Sequence, residues 1–204
     1  MAGLPPRLGN SALSPPIQNG DTKKIGQILD GAPNFLMWRD DNTLTPLHLA
    51  AYVAKDEVVS LLLDRGADIE SKDFRNDETA LHVCARYNFS KVATVLIKRG
   101  AQVDARAKGQ NLSNFTPLHY ATMIGHPDVA RILLESKADV NARDSQDGTP
   151  LHHAVRSGRK DVVSLLLEFN ADTSLKEGQR TAAQISDEFG FKEIGNLIRA
   201  KKRP

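Results

Sequence analysis

The sequence has little of what several large classes of protein require. Among 204 residues there is one cysteine, Cys84, so no disulfide can form within the chain. Aromatic residues make up only 5% of the sequence, and the formal net charge of +2 is close to balance. Composition therefore indicates neither a strongly basic nucleic-acid-binding protein nor an acidic disordered one. The apolar content of 40% still allows a sizeable core built mainly of aliphatic side chains.

Long apolar runs and catalytic motifs are missing as well. No stretch approaches the length of a membrane span, and residues 1–10, rich in proline and glycine, have no apolar core of secretory length. There is no glycine-rich phosphate loop, no nucleophile elbow and no His-Glu-x-x-His motif. We therefore predict a protein without catalytic activity or cofactor, located in the cytoplasm with the nucleus as a second location, in which residues 1–10 form a flexible tail.

What the sequence does contain is a recurring phrase. Thr-Pro-Leu-His, or Thr-Ala-Leu-His in one copy, begins at Thr45, Thr79, Thr116 and Thr149, and a diverged copy begins at Thr181. Successive threonines are 34, 37, 33 and 32 residues apart. A period in this range indicates stacked supersecondary units rather than one globular fold.

Each copy has the pattern of a helix, a turn, a second helix and a loop. Thr is a favourable N-cap and Pro suits the first helical position, and an apolar run such as residues 58–63 then supplies the second helix. Gly66 and Gly100 follow these runs, where a residue in the left-handed conformation ends a helix. The matching positions of the next two copies hold Lys137 and Asn170, and we expect the lysine to be strained there.

The repeated phrase, the exit sequence of residues 138–144 and the period near 33 resemble the ankyrin repeat family over roughly residues 11–200. The resemblance implies an all-α solenoid of helix-turn-helix units joined by hairpin-like loops. On this basis we divide the chain into a degenerate N-terminal capping repeat, four fuller repeats of which the second has an extended loop, and a C-terminal capping repeat with a basic tail. These segments are 11–41, 42–75, 76–112, 113–145, 146–178 and 179–204.

The resemblance also implies a function. Ankyrin stacks hold a protein partner on their concave helix face and loop tips, so we predict a monomeric adaptor, inhibitor or scaffold. The positions carried across by register are Asp41, Asn42, Leu44, Tyr52, Val53, Phe74, Arg75, Glu78, Arg86, Tyr87, Phe115, Met123, Ile124, Ser145, Gln146, Arg156 and Ser157. We expect the apolar members to form one continuous exposed strip, and the arginines beside it to favour a partner with an acidic edge.

Four histidines share one position of the repeat: His48, His82, His119 and His152. A row of imidazoles suggests metal binding, yet residues one repeat apart cannot converge on a single ion. The resemblance implies instead that each histidine ties the Thr-capped turn to its neighbours by hydrogen bonds. His126 and His153 have no carboxylate or cysteine at ligand spacing in the sequence, so we predict no metal site.

Asn141 has a second possible role. With Leu133 eight residues before it and Asp139 two before it, it resembles the site at which ankyrin repeats are hydroxylated by an asparaginyl hydroxylase. The alternative is that Asn141 only stabilises its hairpin through hydrogen bonds to nearby backbone.

Two further functions remain open. From Lys192 onward the chain is basic, which suggests binding of nucleic acid or an acidic surface, or a nuclear-import signal, although such a run is commonly a solvated helix end. The repeats can also serve as an assembly chaperone for a single partner, a role that sequence does not separate from that of an adaptor.

Overall fold

Short helices, packed in consecutive pairs, make up almost all of the regular secondary structure in the described residues. The computed structural model describes residues 12–40, 44–108 and 114–201. The chain divides into two compact units, Met1–Gln102 and Val103–Pro204. The tail predicted for residues 1–10 lies outside the described residues.

The helices of the first unit form consecutive pairs, and these pairs stack so that the helices lie in two rows. Its helices are α1 (Ser14–Asn19), α2 (Thr22–Gly31), a 3-10 helix (Pro33–Met37), α3 (Pro46–Tyr52), α4 (Asp56–Asp64), α5 (Ala80–Tyr87) and α6 (Ser90–Lys98). The row α1, α3, α5 packs against the row α2, α4, α6. Aliphatic side chains such as Leu47, Leu62 and Leu96 are buried between the rows and form the core.

The second unit repeats this arrangement. Its elements are α7 (Pro117–Ile124), α8 (Pro127–Glu135), α9 (Pro150–Arg156), α10 (Lys160–Glu168), β1 (Lys176–Glu177), β2 (Arg180–Thr181), α11 (Ala182–Glu188) and α12 (Lys192–Lys201). Helices α7, α9 and α11 form one row, and α8, α10 and α12 form the other. Regular sheet in the described part of the chain is limited to the two-residue strands β1 and β2, so the prediction of an all-α repeat solenoid is confirmed.

A capping box fixes the start of each first helix. In the copy at Thr149, the Thr149 N–H lies 3.2 Å from His152 Nδ1, and the threonine Oγ1 lies 2.8 Å from the same nitrogen. All four Thr/His copies have this box, and the diverged copy builds it from Thr181 and Gln184. These histidines thus bond to the capped turn, and the Nε2 atoms of His48 and His119 also reach the carbonyl oxygens of Glu78 and Gly148 in the next hairpin, as the resemblance implied.

The second helices end in the left-handed conformation that the register predicts. Lys137 has φ 71° and Asn170 has φ 62°, matching Gly66 at 90° and Gly100 at 91°. The N–H of Lys137 bonds to the carbonyl of Leu134 and closes the helix end. A side chain with a Cβ is disfavoured in this region by about 1 kcal/mol relative to glycine, so Lys137 is a point of local strain.

Candidate functional site

The predicted binding positions at the ends of the first helices keep part of their surface accessible. They occupy the seventh and eighth places after each repeat threonine, and all are half-buried: Tyr52, Val53, Arg86, Tyr87, Met123, Ile124, Arg156 and Ser157. We call this set the first-helix face. The capping box places it, because the box fixes where each helix begins and therefore which side chains stand at its far end.

In the first unit, two tyrosines of this face and one ring of the following turn contact one another in sequence, with Tyr87 in the middle. The Tyr52 and Tyr87 centroids are 5.4 Å apart in an edge-to-face arrangement, and Tyr87 stacks on Phe89 at 5.8 Å. We call these three residues the aromatic trio. Burial, together with the nearby Glu78 and Tyr87, raises the pKa of Tyr52, so its hydroxyl is neutral at physiological pH. Phe89 was not among the binding positions predicted from the sequence, although an aromatic residue in a turn between two helices could have suggested one.

A hairpin of the same unit exposes a further ring. Phe74 is 70% exposed, and the Arg39 guanidinium lies over the ring at 4.1 Å from its centroid. Arg39 is held there by donating a 2.7 Å hydrogen bond to the Lys72 carbonyl. Arg75 is also exposed, as the sequence predicted for a loop tip. Asp41 and Asn42, the other predicted contacts of this kind, lie outside the described residues.

Three predicted partner contacts are buried, which corrects the expectation that they are accessible. Leu44, Glu78 and Phe115 are only 3%, 1% and 2% exposed. Each directly precedes a capping threonine, and a residue in that place packs inward against the helix it introduces. The Phe115 ring does so on Tyr120, with centroids 5.3 Å apart. An antiparallel backbone bridge pairs Phe115 with Ala107.

The arginines of the first-helix face are paired inside the chain. Arg86 forms an ion pair with the buried Glu78, and Arg156 forms one with the buried Glu177. An acceptor buried beneath each guanidinium compensates its charge. Arg86 and Arg156 therefore no longer support the expectation of a partner with an acidic edge. In the hairpin beside Arg156, Ser145 and Gln146 are exposed.

The second unit buries a histidine–aspartate cluster beneath its hairpin. His119 on α7, Asp144 in the loop before α9, and His153 on α9 bring their donor atoms within 4.8 Å of one another. His153 Nε2 lies 2.7 Å from Asp144 Oδ2. The Phe115 ring covers the cluster, at 5.0 Å from His119 and 4.8 Å from His153.

Hydrogen bonds fix the orientation of each member of this cluster. Asp144 Oδ1 accepts the N–H groups of Gln146 and Gly148, which leaves Oδ2 for His153. Burial alone would raise the pKa of the Asp144 carboxyl, but His153 and these two N–H groups lower it below its usual value. Burial, with His153 close by, lowers the pKa of His119 to about 3, so its imidazole is neutral.

Gly148 leaves room for the pair. A Cβ at this position would lie 2.7 Å from Asp144 Oδ2 and 3.0 Å from His153 Nε2, which is too close for either contact. The prediction that His153 has no carboxylate at ligand spacing is wrong, because the folded chain brings Asp144 next to it. Asp144 stands nine residues before it in sequence, and the hairpin turn folds it back onto α9.

The hairpin position of Asn141 is part of a ladder of hydrogen bonds. Asn141 Oδ1 accepts the N–H of Asp172 at 2.8 Å. At the matching positions, Glu70 accepts the N–H of Gln102, and the Asp104 carboxylate accepts that of Asp139. Asn141 therefore has a structural role, but the bond that its side chain makes joins its hairpin to the next one instead of bonding to nearby backbone.

The basic end of the chain is partly paired. On α12, Arg199 forms an ion pair with Asp187, while Glu193 bonds to Lys160 of α10. Lys202 and Arg203 lie outside the described residues. Among the helices that are described, none is both long and apolar enough to cross a bilayer.

Comparison with known proteins finds a matching family model and several similar proteins. A family model for ankyrin repeats (3 copies) matches residues 17–107 and 105–177. Delta-latroinsectotoxin-Lt1a of Latrodectus tredecimguttatus is 38% identical over 141 residues, which are 69% of this chain and 11% of the toxin. NF-kappa-B inhibitor alpha of Sus scrofa is 34% identical over 124 residues, 60% of this chain and 40% of the inhibitor. The human 2-5A-dependent ribonuclease is 36% identical over 59 residues, 29% of this chain and 8% of the ribonuclease. The chain thus spans less than half the length of each of these relatives.

Proposed function

Because the family model matches residues 17–107 and 105–177, the chain belongs to the ankyrin repeat family, and we propose that it is a non-catalytic module that binds a protein partner as an adaptor, an inhibitor or a scaffold. Ankyrin repeats are protein–protein interaction modules. The names of the three relatives belong to an inhibitor, a toxin and a ribonuclease, so the family alone does not choose among these roles.

The observation that carries this proposal is the aromatic trio. Tyrosine is prominent among residues that dominate binding energies, because its ring gives a large contact area at low entropic cost. The trio is already preorganised by ring–ring contacts and remains half-buried, so a partner can remove the rest of its surface from water. We therefore propose the trio with Val53 as the centre of the interface.

Other predicted residues extend this proposed interface. Phe74 and Arg75 supply an aromatic and a charged contact from the hairpin of the first unit. In the second unit, Met123 and Ile124 supply an apolar contact on the first-helix face. Arg86 and Arg156 are held by buried glutamates and offer oriented donors at the polar rim.

A paired capture and affinity experiment tests the proposal. A partner recovered by the wild-type protein from the native host is identified by mass spectrometry, purified, and titrated against a Tyr52→Ala/Tyr87→Ala variant. We expect the dissociation constant to rise by at least about tenfold, since each hot-spot ring contributes roughly 1–3 kcal/mol. The control is Lys91→Ala/Lys98→Ala, which changes two exposed residues of α6 in the same repeat. Equal affinity of the aromatic variant and the control contradicts the proposal.

Asn141 remains our candidate for hydroxylation. Its side-chain oxygen is engaged with Asp172, so modification has to occur without breaking the hairpin ladder or after local opening. Peptide mass analysis of protein coexpressed with an asparaginyl hydroxylase tests this. An added mass of one oxygen on the Asn141 peptide, absent in Asn141→Ala, is the expected result, and an unmodified peptide contradicts it.

We also propose that the protein acts in the cytoplasm, with the nucleus as a second location. Imaging of a fluorescent fusion in the native host, with and without residues 199–204, tests this and the import role of the basic end together. Nuclear signal that disappears with the deletion supports an import signal, whereas an unchanged distribution assigns residues 199–204 to the end of the capping helix.

A further inference from the structure

We propose that His119, Asp144 and His153 form a zinc-binding site in the second unit. This inference is independent of partner binding and rests on the geometry of the buried cluster. Two imidazoles and a carboxylate are a common donor set for Zn²⁺ with a further coordination position open. One unit of negative charge from Asp144, beside two uncharged donors, suits a divalent cation.

The distances between the donor atoms fit one small ion. Bonds of about 2 Å in a tetrahedral arrangement put two zinc ligands roughly 3.3 Å apart. His153 Nε2 and Asp144 Oδ2, now 2.7 Å apart, open by less than about 1 Å to reach that separation, and His119 closes in from within 4.8 Å. The side chains of His153 and Asp144 are 10% and 4% exposed, so this is the edge of the cluster that solvent reaches.

The surrounding hydrogen bonds already orient two of the three ligands. Asp144 is held through Oδ1 by two backbone N–H groups, so Oδ2 faces the site. Thr116 Oγ1 lies 2.9 Å from His119 Nδ1 and fixes the plane of that ring. Partners of this kind, which hold the far side of a ligand, are typical of zinc sites and raise metal affinity.

Binding requires a change of tautomer at His119. The Thr116 N–H points to Nδ1 at 3.2 Å, so Nε2 carries the ring proton and donates to the Gly148 carbonyl. When Nε2 binds zinc, the proton resides on Nδ1, where Thr116 Oγ1 accepts it, and the Thr116 N–H loses Nδ1 as its acceptor. The bond given up to Gly148 is long, 3.4 Å, whereas the equivalent bond from His48 to Glu78 measures 2.8 Å. On the Nε2 side His119 therefore gives up a weaker hydrogen bond than His48 would, and on the Nδ1 side it gives up the bond from the Thr116 N–H.

Two other repeats supply substitutions that remove a ligand and keep the local fold. Gln184 builds the capping box with Thr181, so His119→Gln preserves that box without an imidazole. Leu49 occupies the place of His153 in the repeat at Thr45, so His153→Leu restores an aliphatic core residue. His126→Ala is the matched control, since His126 belongs to the same unit and lies outside the cluster.

Zinc titration of the full chain against a chromophoric chelator of micromolar affinity tests the site. We expect one equivalent of Zn²⁺ to bind the wild type, and His119→Gln and His153→Leu each to weaken binding by at least about tenfold while His126→Ala binds normally. Failure of the wild type to compete with the chelator overturns the proposal, as does equal binding by all four proteins.

A second readout decides the matter if the two variants do not fold. In the wild type, ¹⁵N NMR of the histidine rings should move His119 from the Nε2–H to the Nδ1–H tautomer on addition of one equivalent of Zn²⁺. Addition of EDTA should reverse the change. Ring signals of His119 that do not respond to zinc overturn the proposal.

Discussion

The two units place their aromatic rings at different positions of the same repeat. In the copies that begin at Thr45 and Thr79, tyrosines stand at the end of the first helix, on the surface. In the copies that begin at Thr116 and Thr149, rings stand just before the capping threonine or one turn into the helix: Phe115, Tyr120 and His153. At these positions one backbone therefore serves two uses, with tyrosines partly exposed in the first unit and Phe115, Tyr120 and His153 packed into the core in the second.

This difference indicates that the aromatic rings contribute to stability in one unit and to the contact surface in the other. The fourth residue after each repeat threonine points into the core. In the first unit this position holds an aliphatic side chain, Leu49 or Val83, and not an aromatic ring. The second unit fills it with Tyr120 and His153, so aromatic rings and the hydrogen bond between His153 and Asp144 lie beneath the hairpin. We expect ring removal to cost stability in the second unit and binding in the first.

The largest expected effect is on stability at Phe115. Phe115→Ala removes a ring that contacts Tyr120, His119 and His153, and should lower the free energy of unfolding by about 3–5 kcal/mol. Urea denaturation followed by circular dichroism measures this. Tyr87→Ala is the comparison, with an expected loss of only about 1 kcal/mol, since that ring is half-buried. Equal losses would remove the distinction between the units.

The next effect is a pH dependence of stability that originates in the second unit. The folded-state pKa of His119 is about 3, below its ordinary value of 6.5. Between these values the unfolded chain binds a proton that the folded chain does not, so stability falls as pH falls from about 6.5 towards 3. The slope from one such group is at most about 1.4 kcal/mol per pH unit.

His119→Gln isolates this contribution. Other buried histidines, including His48, add to the slope of the wild type, so the informative quantity is the difference between the two proteins. Measured in EDTA, the variant should lose stability less steeply over that window. Parallel curves for the two proteins would mean that His119 does not remain neutral in the folded state.

A smaller effect is expected on binding at Tyr87. Tyr87→Ala should weaken partner binding by roughly 1–3 kcal/mol, because the substitution removes the central ring of the trio. Calorimetric titration of the purified partner measures the change. Met123→Ala, at the first-helix face of the second unit, should have a smaller effect. The reverse order would move the centre of the interface to the second unit.

The smallest effect is a gain in stability at Lys137. Lys137→Gly relieves a left-handed side chain and should raise the free energy of unfolding by about 1 kcal/mol. The reciprocal change Gly100→Lys, at the matching position of the first unit, should lower it by a similar amount. Changes of the same sign in both variants would mean that the two helix ends are not equivalent.

The period and the local rules of helix ends made much of this fold predictable. The repeated threonines gave the starts of the first helices, and the place of Gly66 and Gly100 in the period predicted the left-handed Lys137. Both features depend on residues close in sequence, whose backbone hydrogen bonds form one helix end. The period also predicted that Tyr52 and Tyr87 are neighbours, because both stand near the ends of first helices in consecutive repeats.

The parts that the sequence did not reveal depend on contacts across loops. Phe115 follows an insertion, and the contacts of its ring with Tyr120 and His153 show which way the side chain turns. Asp144 and His153 belong to different elements, so their pairing follows from the hairpin turn rather than from a spacing. Glu78 and Arg86 likewise compensate each other in space, which a count of charges does not show.

Site-specific photocrosslinking tests the central claim, that the aromatic face of the first unit binds a protein partner, most directly. A photoreactive phenylalanine analogue is placed at Tyr87, at the centre of the trio, or at Lys98, exposed on α6 of the same repeat. Irradiation in the native host should yield one discrete protein adduct from position 87, reduced when Tyr52→Ala is added, and none from position 98. An adduct from position 98 alone, or equal adducts from both positions, would contradict the account.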